Sequence, residues 1–340
     1  MTRAFEELTR LVEPLFCGEA NLHQTLNNLF ALFSSLSGLD ADREENRQNI
    51  VLPSGLALGP TWAAMCLKDI GRTSKLLYGL RQAILDQQKK HPGTPVHVLY
   101  CGCGPFATLA IPLMTKFNPE DLQFTLLEVN PSSVEILRRL ITALGVTSFI
   151  KAIEITDATQ YVLPDPSSVH IAIAETMQHA LAREPQVGVT LNIARQLSTE
   201  AVFIPQHIDV QLGVYNPSLG QKYLTGKGNT MEEAQLILQT LITLNKESIF
   251  SLIGPDGCPV FEEKEVEIPV DLPPAFSQLC LFTNIHIYRD FYLKMSDSAL
   301  SFPLILADLN SISSPLLRVS AKYQMEGEPG FNIGFEWGSE

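Results

Sequence analysis

From Pro95 to Glu175 the chain changes rhythm again and again, and that alternation limits what it can fold into. "VHVLYC" (96–101) is an apolar run of strand length, and "FATLAIPLMTKF" (106–117) has helical spacing. "LQFTLLEVN" (122–130) reads as a strand, and "PSSVEILRRLITAL" (131–144) as a helix that opens on proline. "SFIKAIEIT" (148–156) and "SVHIAIAE" (168–175) are two further strands. Short apolar strands separated by helical stretches predict a parallel sheet with helices on both faces. The expected class is therefore α/β, built on a Rossmann-like, doubly wound sheet.

The flanks read differently. Residues 1–40 carry apolar positions at spacings of three and four, as amphipathic helices do. "TWAAMCLKDIGRTSKLLYGLRQAILDQQKKH" (61–91) predicts one or two more helices, stopped by Pro92-Gly93. After residue 198 the alternation ends, and "EAVFIPQHIDVQLGVY", "EKEVEIPVDLP", "CLFTNIHIYRDFYLKM", "LRVSAKYQM" and "FNIGFEW" are all strand-like. One helix is expected among them, near 230–247, from "TMEEAQLILQTLITLNKE". Three parts follow: an N-terminal helical region (1–92), a Rossmann-like domain (93–198) and a β-rich, partly barrel-like C-terminal part (199–340).

Composition narrows the function. With 45% hydrophobic and 18% charged residues among 340, a sizeable core can be buried. A formal net charge of −13 argues against a nucleic-acid surface, which carries a basic stripe, and disfavours acidic lipid. "MTRAFEELTR" lacks the apolar stretch of a signal peptide, and no apolar run reaches the ~18 residues of a spanning helix. Cys17, Cys66, Cys101, Cys103, Cys258 and Cys280 form no Cys-x-x-Cys, and the histidines do not cluster, so no metal site is expected. This cysteine usage fits a reducing cytoplasm.

The chemistry is expected at the turn after the first strand of the alternation. In "CGCGPFA" (101–107), Gly102 and Gly104 let the backbone approach a ligand closely, but Pro105, Phe106 and Ala107 follow and no third glycine comes. A doubly wound sheet binds ligands beyond the carboxyl ends of its strands. Glu128 ends the second strand, where a carboxylate can accept both ribose hydroxyls, and Asp157 follows the third, where it can meet an adenine amino group. Each alone also looks like a surface carboxylate; together and in order they fit an adenosine pocket. Gly102 to Glu128 is 26 positions, against ~20 for dinucleotide folds. Pro105 removes an N–H that a pyrophosphate would use. A phosphate-free ligand therefore fits better than NAD.

These residues carry a resemblance to the class I S-adenosylmethionine-dependent methyltransferases, and within them to the protein arginine methyltransferases, over about residues 65–340. "LKDIGRT" (67–73) is similar to the family's Leu-Lys-Asp-x-x-Arg-Thr helix, and the resemblance implies that Arg72 grips the carboxylate of S-adenosylmethionine. "AETMQHALARE" (174–184) resembles the family's double-glutamate loop, with Glu175 and Glu184 nine positions apart and Met177 two after the first. Two carboxylates at the mouth of a pocket can clamp a planar guanidinium. Glu184, next to Pro185, equally suits the start of a helix. The chain departs from the family at Tyr100, where an acidic residue is common, at Phe106, and in lacking a Thr-His-Trp loop. His179, between the glutamates, is a candidate accessory proton acceptor, and Trp62 and Tyr78 are candidates for an aromatic wall.

The resemblance implies methyl transfer from S-adenosylmethionine to nitrogen. The departures and the acidic charge favour a small guanidino or amino-acid substrate over a protein tail. Two alternatives stay open. One is a cyclase that forms azetidine-2-carboxylate and methylthioadenosine from S-adenosylmethionine alone; the other is a non-catalytic S-adenosylmethionine-binding module. The expected partner is a small molecule, not nucleic acid or membrane, and a homodimer is compatible with all three.

Overall fold

The computed structural model describes residues 2–17, 21–228, 230–311 and 314–338. Helices α1 (Arg3–Cys17) and α2 (Leu22–Ser37) come first, followed by a small hairpin of β1 (Ile50–Leu52) and β2 (Gly55–Ala57). Helices α3 (Pro60–Met65) and α4 (Ile70–Lys90) lead into the alternating region. There follow β3 (Val96–Cys101), β4 (Leu122–Glu128), α5 (Pro131–Leu144), β5 (Ile150–Ile155), β6 (Ile171–Ala174), α6 (Gln186–Ala194) and β7 (Val202–Ile204). These strands pair in parallel in the order β5-β4-β3-β6-β7. The chain winds outward from β3 to β5, then returns to the other side of β3 for β6. That reversal opens a crevice at the carboxyl end of β3.

The remaining strands are antiparallel. They are β8 (His207–Tyr215), β9 (Gln235–Asn245), β10 (Lys264–Glu267), β11 (Gln278–Tyr288), β12 (Phe291–Leu293), β13 (Leu304–Asp308), β14 (Leu316–Gln324) and β15 (Gly330–Trp337), with helix α7 (Pro217–Leu224) between β8 and β9. One sheet runs β12-β11-β8-β9, with β13 also on β11; the other runs β10-β14-β15. A parallel sheet with N-terminal helices and a β-rich C-terminal part is the expected architecture.

Two local expectations fail. The stretch 106–117 is not an α-helix: turns run to Ala110, and only a 3-10 segment, Ile111–Thr115, follows. Ala107 sits at φ 39°, outside helical space, and Pro112 lacks the N–H that a continuing helix needs. Phe106 explains the missing third glycine. Its buried ring meets Phe30 and Phe33 of α2 edge-on, at centroid distances of 5.8 and 5.5 Å. A glycine there would lose these ring contacts with α2. The helix expected at 230–247 is instead a 3-10 turn, Glu232–Ala234, followed by strand β9. "QLILQTLITLN" pairs along the whole of β8, from Tyr215↔Gln235 to His207↔Asn245. That ladder overrides a helical apolar spacing that short runs cannot settle alone.

Helix α4 is set by one close approach. Asp69 caps it by accepting the Arg72 N–H at 3.0 Å, and its other oxygen accepts from the Ser298 hydroxyl and the Ala299 N–H. A Cβ on Gly71 would lie 1.8 Å from the carbonyl oxygen of Asp297. Gly71→Ala is therefore expected to push the 297–299 loop off α4 and destabilise the protein by about 1–3 kcal/mol, the range for overpacking. Thermal or urea unfolding measures it; an unchanged midpoint would show that the loop does not hold α4.

Candidate functional site

The crevice at the carboxyl end of the parallel sheet is a cleft, open to solvent at its mouth. Each site residue expected from sequence lines it: Arg72, Gly102, Gly104, Glu128, Asp157, Glu175 and Glu184. The topology explains why. Gly102 and Gly104 follow β3, Glu128 ends β4, Asp157 follows β5 and Glu175 follows β6. Arg72 comes from the first turn of α4, and Glu184 directly precedes Pro185, the residue before α6.

Gly102 and Gly104 have φ of 70° and 64°, a left-handed conformation that glycine adopts freely. The N–H groups of Gly102 and Cys103 donate to the Leu127 carbonyl, which fastens the turn to β4. A Cβ on Gly102 would lie 2.3 Å from the Thr176 methyl, so the turn also abuts the segment after β6 that carries Glu175.

Glu128 is buried and accepts the N–H groups of Gly104 and Asn130, each at 2.8 Å. Burial raises its pKa, and those hydrogen bonds oppose the shift. Every carboxylate oxygen has two lone pairs, so ligand hydroxyls can still be received. Asp157 is half-buried; one of its oxygens accepts from the Thr159 N–H and hydroxyl at 2.8 Å.

At the other end of the cleft, Arg72 is ion-paired with Glu175. The resemblance implies different ligands for these two; the structure brings them together. Glu175 Oε2 takes the guanidinium, while Oε1 is buried without a hydrogen-bond partner. Burial outweighs the Arg72 charge, and Glu184 adds a like charge, so the Glu175 carboxyl is pushed up to about 7. Glu184 is raised too, chiefly by burial, with Arg72 and a hydrogen bond to Gln178 acting against it. Tyr100, beside Glu175, is held protonated by burial. Cys66 also lines the cleft, and burial raises its thiol.

The loop between the two glutamates is unusual. Ala180, Leu181 and Arg183 have φ of 56°, 54° and 66°, although none is glycine. Each such residue costs on the order of 1–3 kcal/mol and persists only where its surroundings over-determine it. Gln186 ties the loop base by accepting from the Thr176 N–H at 3.0 Å. His179 is half-buried and does not line the cleft. Trp62 and Tyr78 are also outside it: Trp62 donates to the Arg47 carbonyl, and Tyr78 packs between Phe16 and Phe291. Among the described residues no group of three His, Cys, Asp or Glu side chains could hold a metal ion. No helix among them is long and apolar enough to cross a membrane.

Sequence comparison finds no matching family model and no matching curated protein. Solved structures do match. The crystal structure of PRMT6 with SAH superposes with a TM-score of 0.54 at 11% identity, over 80% of this chain and 98% of that one. A crystal structure of PRMT6 alone gives 0.53 at 12%, over 80% and 97%. The fold is shared. At such identities the likeness is one of architecture: a parallel sheet with its cleft, joined to a β-rich C-terminal part.

Proposed function

We propose that the cleft binds S-adenosylmethionine and directs its methyl group to a nitrogen of a small guanidino or amino-acid substrate. What carries this reading is the convergence of the glycine turn, Glu128, Asp157, Arg72, Glu175 and Glu184 on one cleft at the switch point of the sheet. The absence of an α-helix after the turn adds to it. A pyrophosphate is held by the N–H groups and dipole of such a helix, so a phosphate-free adenosyl ligand suits this turn better than NAD. PRMT6, whose fold is similar, was crystallised with SAH.

When bound, S-adenosylmethionine supplies an electrophilic methyl on a sulfonium. Glu128 would receive the ribose hydroxyls, and Asp157 an adenine amino group. Arg72 would take the ligand's carboxylate through its fork of N–H donors. Glu175 Oε1 and Glu184 would receive the acceptor and orient its nitrogen. Catalysis is then mostly positioning.

The Arg72–Glu175 pair favours a second reading as well. If Arg72 holds the carboxylate, Glu175 lies close to the same amino-acid end. It could face the neighbouring ammonium, as a cyclase needs. Incubation with S-adenosylmethionine, alone and with candidate guanidines, separates the readings. S-adenosylhomocysteine formed only with acceptor supports methyl transfer; methylthioadenosine formed without one supports cyclisation. Neither product, with no binding by calorimetry, would sink both. In the same calorimeter, Glu128→Ala should weaken S-adenosylmethionine by about 1–3 kcal/mol, the cost of stranded hydrogen-bonding groups. Unchanged affinity would remove the adenosine-pocket assignment.

A further inference from the structure

We propose that two hydroxyls of the antiparallel part, on Thr283 and Tyr323, are positioning groups for the loop that carries Glu184. This rests on the reading of Glu184 as an acceptor ligand.

The loop from Glu175 to Glu184 contains no glycine, yet three of its residues are left-handed. Nothing in its local sequence favours that path, so contacts from outside must impose it. Those contacts come from elements remote in sequence. On β11, the Thr283 hydroxyl oxygen accepts the Ala180 N–H at 2.7 Å. From β14, the Tyr323 hydroxyl donates to the Leu181 carbonyl at 2.8 Å. The Arg183 N–H donates to the Pro329 carbonyl at 2.7 Å, and the Arg183 carbonyl accepts the Leu56 N–H of β2 at 2.7 Å. Three of the four residues just before Glu184 are thus pinned.

The two hydroxyls differ from ordinary packing. Thr283, Tyr323, Ala180 and Leu181 are all buried, so water cannot replace a lost partner. The Tyr323 ring is held separately, edge-on to Phe261 and Phe331 at 5.0 and 5.2 Å. Its hydroxyl can therefore be removed while the ring stays packed. In this arrangement the β-rich part, none of whose described residues lines the cleft, sets where the second carboxylate stands.

The test uses the full chain with Tyr323→Phe, Thr283→Val and the hydroxyl-keeping Thr283→Ser. The amides of 180–184 are followed by hydrogen exchange beside the global unfolding midpoint. Both hydroxyl-less variants should exchange there about tenfold faster or more, while β3 and β4 keep wild-type protection. S-adenosylmethionine affinity should stay within about threefold. Turnover with free arginine, agmatine or guanidinoacetate, whichever the wild type accepts, should fall about tenfold or more, and Thr283→Ser should restore both readouts. Wild-type exchange at 180–184 in both Tyr323→Phe and Thr283→Val overturns the proposal, whatever the activity. A wild type that binds no S-adenosylmethionine removes the functional reading instead, and the exchange result alone then decides whether these hydroxyls hold the loop.

Discussion

Replacing Glu175 by glutamine is expected to cut turnover by roughly two orders of magnitude or more, while S-adenosylmethionine affinity stays within a few-fold. Glutamine keeps the shape and removes the charge. Oε1 is the buried, unpartnered acceptor in the cleft, so an incoming N–H group has an obvious place to go. A neutral amide oxygen there pairs far more weakly with a guanidinium than a carboxylate does. Donor affinity should be spared because Arg72, released from Glu175, remains free to take the ligand's carboxylate. The cyclase reading predicts the opposite split, with donor affinity falling directly, because Glu175 would then meet the donor's own ammonium. A variant fully active in both assays would remove the glutamate pair from the mechanism.

The same side chain sets a pH dependence. Burial pushes its carboxyl up to about 7, above its ordinary range. The charged form, which binds the acceptor, therefore accumulates as pH rises through about 7, and wild-type turnover should rise over that window. Its contribution to stability runs the other way. A carboxyl raised in the folded state favours folding most below its ordinary range, and that contribution is lost as pH rises through about 7. The rising activity limb should be missing from whatever activity Glu175→Gln retains.

The parallel half was legible because its rules are local. Strand length, the turn glycines and the position of a carboxylate at each strand end are enough to bring Gly102, Glu128, Asp157 and Glu175 to one edge. Arg72 is marked by the resemblance of "LKDIGRT" to a family motif, not by periodicity. The failures have a common cause. Strand β9 looks helical in isolation and becomes a strand through its ladder with β8. The stretch after Gly104 looks helical by spacing and is broken by Ala107 and Pro112. Thr283 and Tyr323 carry no signal at all, since their partners lie 103 and 142 positions away. The Arg72–Glu175 pair spans 103 positions, so each residue could be recognised while their mutual contact could not.

That contact makes Arg72 the position where binding and stability are expected to part. Arg72→Leu removes the cation for the ligand's carboxylate, and affinity for S-adenosylmethionine should drop by about two orders of magnitude, in line with losing a buried charge-assisted pair. It also leaves Glu175 buried beside Glu184 with no counter-charge, so the Glu175 carboxyl should move further up and become neutral near pH 7. Breaking a buried pair from one side costs about 3–5 kcal/mol of stability. Arg72→Lys keeps the charge but replaces the fork with a point donor, so it should stabilise Glu175 partly and still bind the ligand poorly. The double variant Arg72→Leu with Glu175→Gln separates the two effects. With no buried carboxyl left to be protonated at a cost, it should recover most of the stability lost in Arg72→Leu and none of the affinity, which a double-mutant cycle of unfolding and calorimetry would measure. Recovery of binding along with stability would mean that Arg72 serves only to neutralise Glu175 and never touches the ligand.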